Sequence, residues 1–439
     1  MLWTKDNSRL TLSTQQQECH LDDLRWMAAP TLKELCGQSD TRLLVFPQSF
    51  DEYGDKLSEQ RIFDIHGNVI ETGNIMGFVG RRNTMIRIQS RFTSDDGRDY
   101  FLHYMLQKVF AIHLFDLKHL TDEESIFDFL IYLFPTFLRR AVRHGLYHQY
   151  QSHSYNDANV RGRIDVSRHI RNNIPFAGSV AYTAREYASD NHITQLIRHT
   201  IEYIAGHPLG GDILLDNDTT KDAVALIREA TPTYDKNAQQ QIVNANIRPL
   251  HHPYYEDYRT LQHLCMQILR HEELKYGCND NEIFGVLFDG AWLWEEYLNT
   301  FLNSVLCHPR NRVGEGRQYI FRSPRGGDCY PDFYNDRMVL DAKYKGYSDG
   351  RLQRPDLYQV ISYMYIMQLK QGGFIVPVSN ETKPRILNGY GGNIGIYGLN
   401  IGRKLSRYDE FCSYMKNQEE ALLNKIMFCY DNGLNMPCA

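Results

Sequence analysis

Residues 329–346, CYPDFYNDRMVLDAKYKG, hold Asp332 and Asp341 nine positions apart, with Lys343 two beyond the second. Charged side chains are rarely buried without a partner. Two carboxylates and an ammonium in a stretch otherwise built like a pair of strands therefore pose a choice between a surface hairpin and a metal site. Along RMVLDAKYK the side chains alternate, so Asp341 and Lys343 share one side while Leu340, Ala342 and Tyr344 take the other. The Asn335-Asp336 pair is turn chemistry and predicts a hairpin that brings Asp332 alongside Asp341. Two carboxylates at an accessible edge suit magnesium, which takes one or two carboxylates, keeps waters and accepts phosphate oxygens. A neighbouring lysine orients a water or steadies charge developing on a phosphoryl group. The set is chemically complete for phosphodiester hydrolysis.

Flanking helices offer further groups. In the helical run around LWEEYL, the stripe Trp294, Leu298, Leu302 and Val305 predicts that Glu295, at its edge, points inward and that Glu296 faces water. Gln359 and Tyr363, four apart, share a helical face opposite Leu357, Ile361 and Met364. Gln359 there braces a substrate strand or a metal-bound water, or the pair simply lies on the solvent side. Between 310 and 354 ten basic residues stand against six acidic ones, a local excess of +4 in a chain of formal charge −5. Phosphate contacts need such an excess. Taken alone, Asp-x-Lys on a strand is more often a surface ion pair; the ordered combination of Glu, Pro-Asp, Asp-x-Lys, Gln and Tyr points to function.

The elements that must carry these residues divide the 439-residue chain into three expected segments. Residues 1–110 read as a β-rich module of short strands and turns, residues 111–275 as a mostly helical region with one extended insertion, NVRGRIDVSRHI, and HPLGGDILLDNDTT as loop. From 276 a helix over IFGVLFDGAWLWEEYLNTFLNSVL, then three strands, a helix over DLYQVISYMYIMQLK and a further strand give the order of an α/β sandwich. The fold class expected is thus multidomain α+β with a C-terminal α/β core.

Several chemistries are disfavoured. Nine cysteines are scattered singly, without CxxC or zinc-finger spacing, as in reduced thiols. The N-terminus has no signal-like apolar run and no stretch of about 18 apolar residues occurs, which predicts a cytoplasmic protein without a membrane partner. His144 and His148 lie four apart, but HGLYH has glycine where a metalloprotease needs its glutamate. GLNIGRKLS lacks the spacing of a phosphate loop, so the chain is not a nucleotide-driven motor.

The run PDF followed by LDAKYK resembles the PD-(D/E)xK nuclease core. With LWEEYL before it and DLYQVISYM after it, the chain resembles the McrC family, the nuclease component of McrBC-type restriction systems. The segments GNIMGFVGRRNTMIRIQSRF and VRGRIDVSRHIRNNIPF…AYTAREYASDN resemble its LlaJI-type branch, so the likeness spans most of the chain. It implies a restriction-endonuclease-like C-terminal core, with Asp332 and Asp341 as Mg2+ ligands, Lys343 as catalytic lysine and Glu295 as the core-helix glutamate joining the metal set. Gln359 matches the glutamine that often follows the motif. It further implies DNA as substrate and, as partner, a McrB-like AAA+ GTPase hexameric ring, on which the N-terminal module would dock and stimulate nucleotide hydrolysis. Arg81, Arg82, Arg87 and Arg91 are the arginines considered for that stimulation, against ordinary strand-edge roles. Two alternatives stay open: a non-catalytic activator of the ring, and a stand-alone repair or junction nuclease of the same fold.

Overall fold

The structure is a computed structural model. It describes residues 1–37, 41–47, 56–82, 84–93, 98–110, 123–207, 210–215, 217–250, 252, 254–270, 283–309, 316–345, 353–378, 382–389, 391–402, 405 and 407–432. The chain forms two units: Met1–Ile112 together with Asn279–Ala439, and His113–Cys278.

In the first unit the N-terminal segment comprises β1 (Leu2–Lys5), β2 (Arg9–Thr11), α1 (Thr14–Ala28), α2 (Leu32–Gly37), β3 (Thr41–Phe46), β4 (Phe63–His66), β5 (Val69–Thr72), β6 (Ile75–Arg81), β7 (Thr84–Gln89) and α3 (Tyr100–Phe110). Helix α1 lies where only strands and turns are expected. Its sequence TQQQECHLDDLRWMA is polar, and it buries just Asp23, Leu24, Met27 and Ala28. Its start is secured by a capping box, in which the Ser13 side chain accepts from Gln16 N and the Gln16 side chain accepts from Ser13 N.

The second unit contains α4 (Glu123–Val142), β8 (Gln149–Asp157), β9 (Arg163–Ile164), α5 (Val166–Asn172), β10 (Val180–Ala188), α6 (His192–Gly206), α7 (Gly210–Leu215), α8 (Asp218–Ala230), α9 (Gln239–Ala245) and α10 (Glu256–Leu269). Helix α10 packs on α4 and α6. The extended part is larger than the expected insertion: β8 and β10 pair antiparallel from Gln149↔Ala188 to Asp157↔Val180. NVRGRIDVSRHI itself supplies only the two-residue β9 and most of α5. HPLGGDILLDNDTT, expected as loop, carries α7 and the start of α8, which Asn217 caps through Thr219 N.

The C-terminal segment returns to the first unit with β11 (Ile283–Asp289), α11 (Gly290–Leu302), β12 (Gln318–Arg322), β13 (Arg325–Cys329), β14 (Phe333–Tyr334), β15 (Met338–Ala342), α12 (Arg354–Ile366), β16 (Gln371–Val376), β17 (Thr382–Ile386), β18 (Asn393–Gly398) and α13 (Tyr408–Asn432). The run expected as one helix from Ile283 is a strand first. Asp289 breaks it by capping α11, accepting from Trp292 N at 2.9 Å. Strand β11 does not join the C-terminal sheet. It sits inside the N-terminal one, of order β1-β7-β6-β11-β3, antiparallel to β6 and parallel to β3. A boundary between N- and C-terminal segments therefore does not divide this unit's hydrogen bonding. The C-terminal sheet has order β14-β15-β16-β18-β17, with β15, β16 and β18 parallel. Its core joins Val339, Phe374, Val376, Ile394 and Ile396 to Val360, Tyr363 and Met364 of α12.

Two glycines bring β6 and β11 together. Gly77 has φ +125°, and a Cβ there would lie 2.1 Å from Val286 O; Gly285 would meet Phe78 O at 2.3 Å. Gly77→Val is expected to destabilise the chain by more than about 2 kcal/mol, through strain and a backbone collision. An urea midpoint equal to wild type would contradict this. Among the described residues no helix is long and apolar enough to cross a membrane.

Candidate active site

Strand β15 is buried along its whole length. Its Val339 packs against α12, and by alternation Asp341 and Lys343 follow on that face. Tyr344, on the other face, lies against Trp294 of α11 and Phe92. The chain places Asp332 at the entrance to β14, which pairs Phe333 with Leu340 and Tyr334 with Val339. The turn is held by Asn335, whose Oδ1 accepts from the main-chain N of Arg337 and Met338, both at 2.9 Å. Asp332 Oδ2 then accepts from Ala342 N at 2.8 Å, which fixes it beside the end of β15.

Asp341 is 1% exposed, and Lys343 Nζ lies 2.7 Å from its Oδ2. This is a close charge-assisted contact, and no other group donates to the Asp341 oxygens in aligned geometry among the described residues. Burial pushes the Asp341 carboxyl up despite Lys343. Burial works against the Lys343 ammonium, but Asp341 first, then Asp332 and Asp356, outweigh it and raise its pKa. Lys343 is therefore held as a cation.

Helix α12 turns the face Asp356, Val360, Tyr363 and Met364 inward. Of the two orientations open for Gln359 and Tyr363, the structure has the one toward the sheet. Lys343 Nζ donates to Gln359 Oε1 at 3.1 Å, Gln359 Nε2 donates to Tyr363 Oη at 2.8 Å, and Tyr363 Oη donates to Tyr330 O at 3.1 Å. Burial raises the Tyr363 pKa, so its hydroxyl stays a donor. Tyr363 thereby fixes which end of the Gln359 amide meets Lys343. If the cavity hydrolyses phosphodiesters, Tyr363→Phe should lower the rate roughly tenfold with little change in KM, on the scale of a misoriented positioning group. A steady-state comparison checks it, and an unaltered rate would remove this role.

These groups line a cavity of about 890 Å³, which Glu295, Arg91 and Lys345 also border. Glu295 does not join Asp332 and Asp341 in a cluster: among the described residues no three His, Cys, Asp or Glu side chains converge on one metal position. Glu296, expected to face water, is 8% exposed. Helix α11 packs against α3 and α13 as well as the sheet, so a wheel with a single buried stripe misjudges its far side. Asp356, buried and 3.3 Å from Lys345 Nζ, was not singled out by the sequence, where RPD reads as a helix start.

The fit to a hard cation rests on Asp341. A buried carboxylate that takes no donor besides Lys343, facing a water-sized space beside a second carboxylate, is the donor set that magnesium takes with waters and phosphate oxygens completing its shell. The other constellations singled out in the sequence lie apart from these residues or have partners of their own. His144 and His148 lie beyond the end of α4 at Val142, so they share no helical face, and His148 stacks on Tyr187. Of the four N-terminal arginines, Arg81 pairs with Asp23 at 2.7 Å and is 4% exposed. Arg87 lies over the Trp3 ring. The Nε of Arg91 donates to Asp6 at 2.7 Å and its Nη1 to Tyr344 O at 3.2 Å. Arg82 has the most open side chain of those in ion pairs, at 43%.

A family model described as McrBC 5-methylcytosine restriction system component matches residues 70–377. No curated protein matches the chain. Among solved structures, the chain is similar to one in a refined half-complex from the tetradecameric assembly of Thermococcus gammatolerans McrB AAA+ hexamers with bound McrC. The TM-score is 0.51 at 15% identity, over 97% of this chain and 99% of that one, a likeness of fold. A chain of the cryo-EM structure of the Thermococcus gammatolerans McrBC complex aligns over 69% of this chain and 87% of its own, at 15% identity and a TM-score of 0.33.

Proposed function

The chain belongs to the McrBC 5-methylcytosine restriction system component family, and from that premise we propose that it is the DNA-cutting subunit of such a system, a magnesium-dependent endonuclease working with a McrB-like AAA+ GTPase ring. The observation that carries the reading is the buried Asp341–Lys343 pair at the end of a strand, with Asp332 bonded to the backbone of the residue between them. This is the arrangement implied by a PD-(D/E)xK core. The partner is drawn from the solved assemblies with McrB hexamers, and stimulation of the ring's nucleotide hydrolysis belongs to the same proposal.

Asp332 and Asp341 would hold the ion. When bound, magnesium lowers the pKa of a coordinated water and neutralises charge on the scissile phosphate. The protein's own contribution is positional and electrostatic. Lys343, kept cationic by three carboxylates, presents a positive charge where phosphoryl oxygens gain negative charge. Gln359 restrains the ammonium, and Tyr363 restrains Gln359. Glu295 lines the same cavity.

The test is cleavage of duplex DNA by the purified chain, with and without the ring partner, in magnesium and after its removal with a chelator. Metal-dependent cutting supports the reading. No cutting under any condition, with nucleotide hydrolysis by the ring still stimulated, would favour the non-catalytic activator.

A further inference from the structure

Strands β12 and β13 form a two-stranded ribbon outside the five-stranded sheets, paired from Gln318↔Cys329 to Arg322↔Arg325. Successive large apolar side chains usually alternate between core and solvent, yet Ile320 is 51% and Phe321 61% exposed. Three arginines, Arg317, Arg322 and Arg325, stand on residues 317–329 against one aspartate, Asp328, a formal excess of +2. Arg317 is engaged by Asp328 and Tyr330. Arg322 and Arg325 enter no ion pair among the described residues, although Arg325 lies over the Tyr319 ring. The base of the ribbon is continuous with the catalytic cavity, since Ile320, Asp328 and Cys329 line it beside Asp332 and Asp341.

We propose that this ribbon grips the DNA duplex next to the phosphate being cut, with the cross-strand pair Arg322 and Arg325 on backbone phosphates and Ile320, two residues before Arg322 on the same face, toward the groove. Five residues in a strand span roughly 16 Å, and B-DNA's major groove admits a two-stranded ribbon. Open guanidinium groups supply the charge complementarity for a polyanion, and Ile320 on their face supplies what a phosphate-only contact lacks. The occupant is duplex DNA because the ribbon adjoins the cavity where a phosphodiester would be hydrolysed. This inference rests on the nuclease reading.

The test uses full-length chain carrying Asp341→Ala, so that nothing is cut, and a fluorescent duplex whose anisotropy is followed over a series of salt concentrations. Adding Arg322→Ala and Arg325→Ala is expected to weaken binding at least about tenfold near 0.1 M salt, and to lower the log–log salt slope by about 2. Adding Ile320→Ala instead should weaken it roughly fivefold with the slope unchanged, whereas Phe321→Ala, on the opposite face, should leave it unaltered. Thermal melts of the variants should match the parent, as these side chains are exposed. Undiminished binding by the double arginine variant, or no binding by the parent at low salt, overturns the ribbon's role. Loss of binding to a protein partner with DNA binding intact also overturns it. The nuclease reading fails by a different result, wild-type cutting by the Asp341→Ala chain in magnesium.

Discussion

Asp341→Ala is expected to cut DNA at least about 10³-fold more slowly than wild type, the scale of losing several kcal/mol of charge stabilisation. The substitution removes two things at once. It deletes the buried carboxylate that would hold the ion, and it deletes the leading group that holds Lys343 protonated. The remaining acids, Asp332 and Asp356, support the ammonium less strongly. Lys343→Ala should be similarly inactive, yet should keep its affinity for magnesium, which calorimetric titration reads. Lys343→Arg is not expected to restore activity, because a planar fork cannot take the place of a compact ammonium beside Gln359. Both variants should stay folded at assay temperature, which circular dichroism checks, though with lowered melting temperatures, because each leaves one side of a buried pair unmatched. A wild-type cutting rate in Asp341→Ala would dismiss the site.

The second large effect is on stability. The Asp6 side chain is fully buried, accepting from Arg91 Nε at 2.7 Å and also from the Arg91 main-chain N. Arg91 in turn donates to Asn74 Oδ1 at 2.7 Å and to Tyr344 O, and covers the Tyr344 ring. Asp6→Ala leaves a mostly buried guanidinium without its counter-ion, and breaking one side of such a pair costs about 3–5 kcal/mol. Urea titration should show this as a lowered midpoint. Burial outweighs Arg91 and raises the Asp6 carboxyl above its ordinary 3.8. The native state then keeps a proton that the unfolded chain has lost. This group's contribution to stability is full below 3.8 and is lost as pH rises through the raised value. In Asp6→Ala that slope disappears. Since Tyr344 follows Lys343 directly, cutting by the folded fraction should also fall, by about tenfold. An unfolding free energy within about 1 kcal/mol of wild type would contradict the prediction.

How far the sequence can be read depends on which periodicity its residues carry. Asp341 and Lys343 were legible because β alternation is strict and the Asn335 turn has its own chemistry, so the pairing with Asp332 follows from spacing. Gln359 and Tyr363 were placed together by helical spacing, but α12 is apolar on several sides, and only contact with β15 selects their orientation. Strand β8, QYQSHSYND, was missed because its alternation is between polar groups and has no apolar face. Strand β11 was hidden by running straight into α11 through IFGVLFDGAWLW, where a continuous apolar run fits either element. The buried state of Glu296 and the internal ion pairs of Arg81 and Arg91 arise from partners distant along the chain. Local patterning contains no trace of them.

The position of β11 within the N-terminal sheet bears on how the protein is made. Among the described residues strand β3 joins that sheet only through β11, which is synthesised some two hundred residues after β6. During translation the hydrogen-bonding edge of β6 waits, unpaired, while the whole second unit leaves the ribosome, a template for wrong partners. Nascent chains halted before residue 283 are therefore expected to depend on chaperones, and a gene split between the second unit and β11 should yield two insoluble fragments rather than two domains.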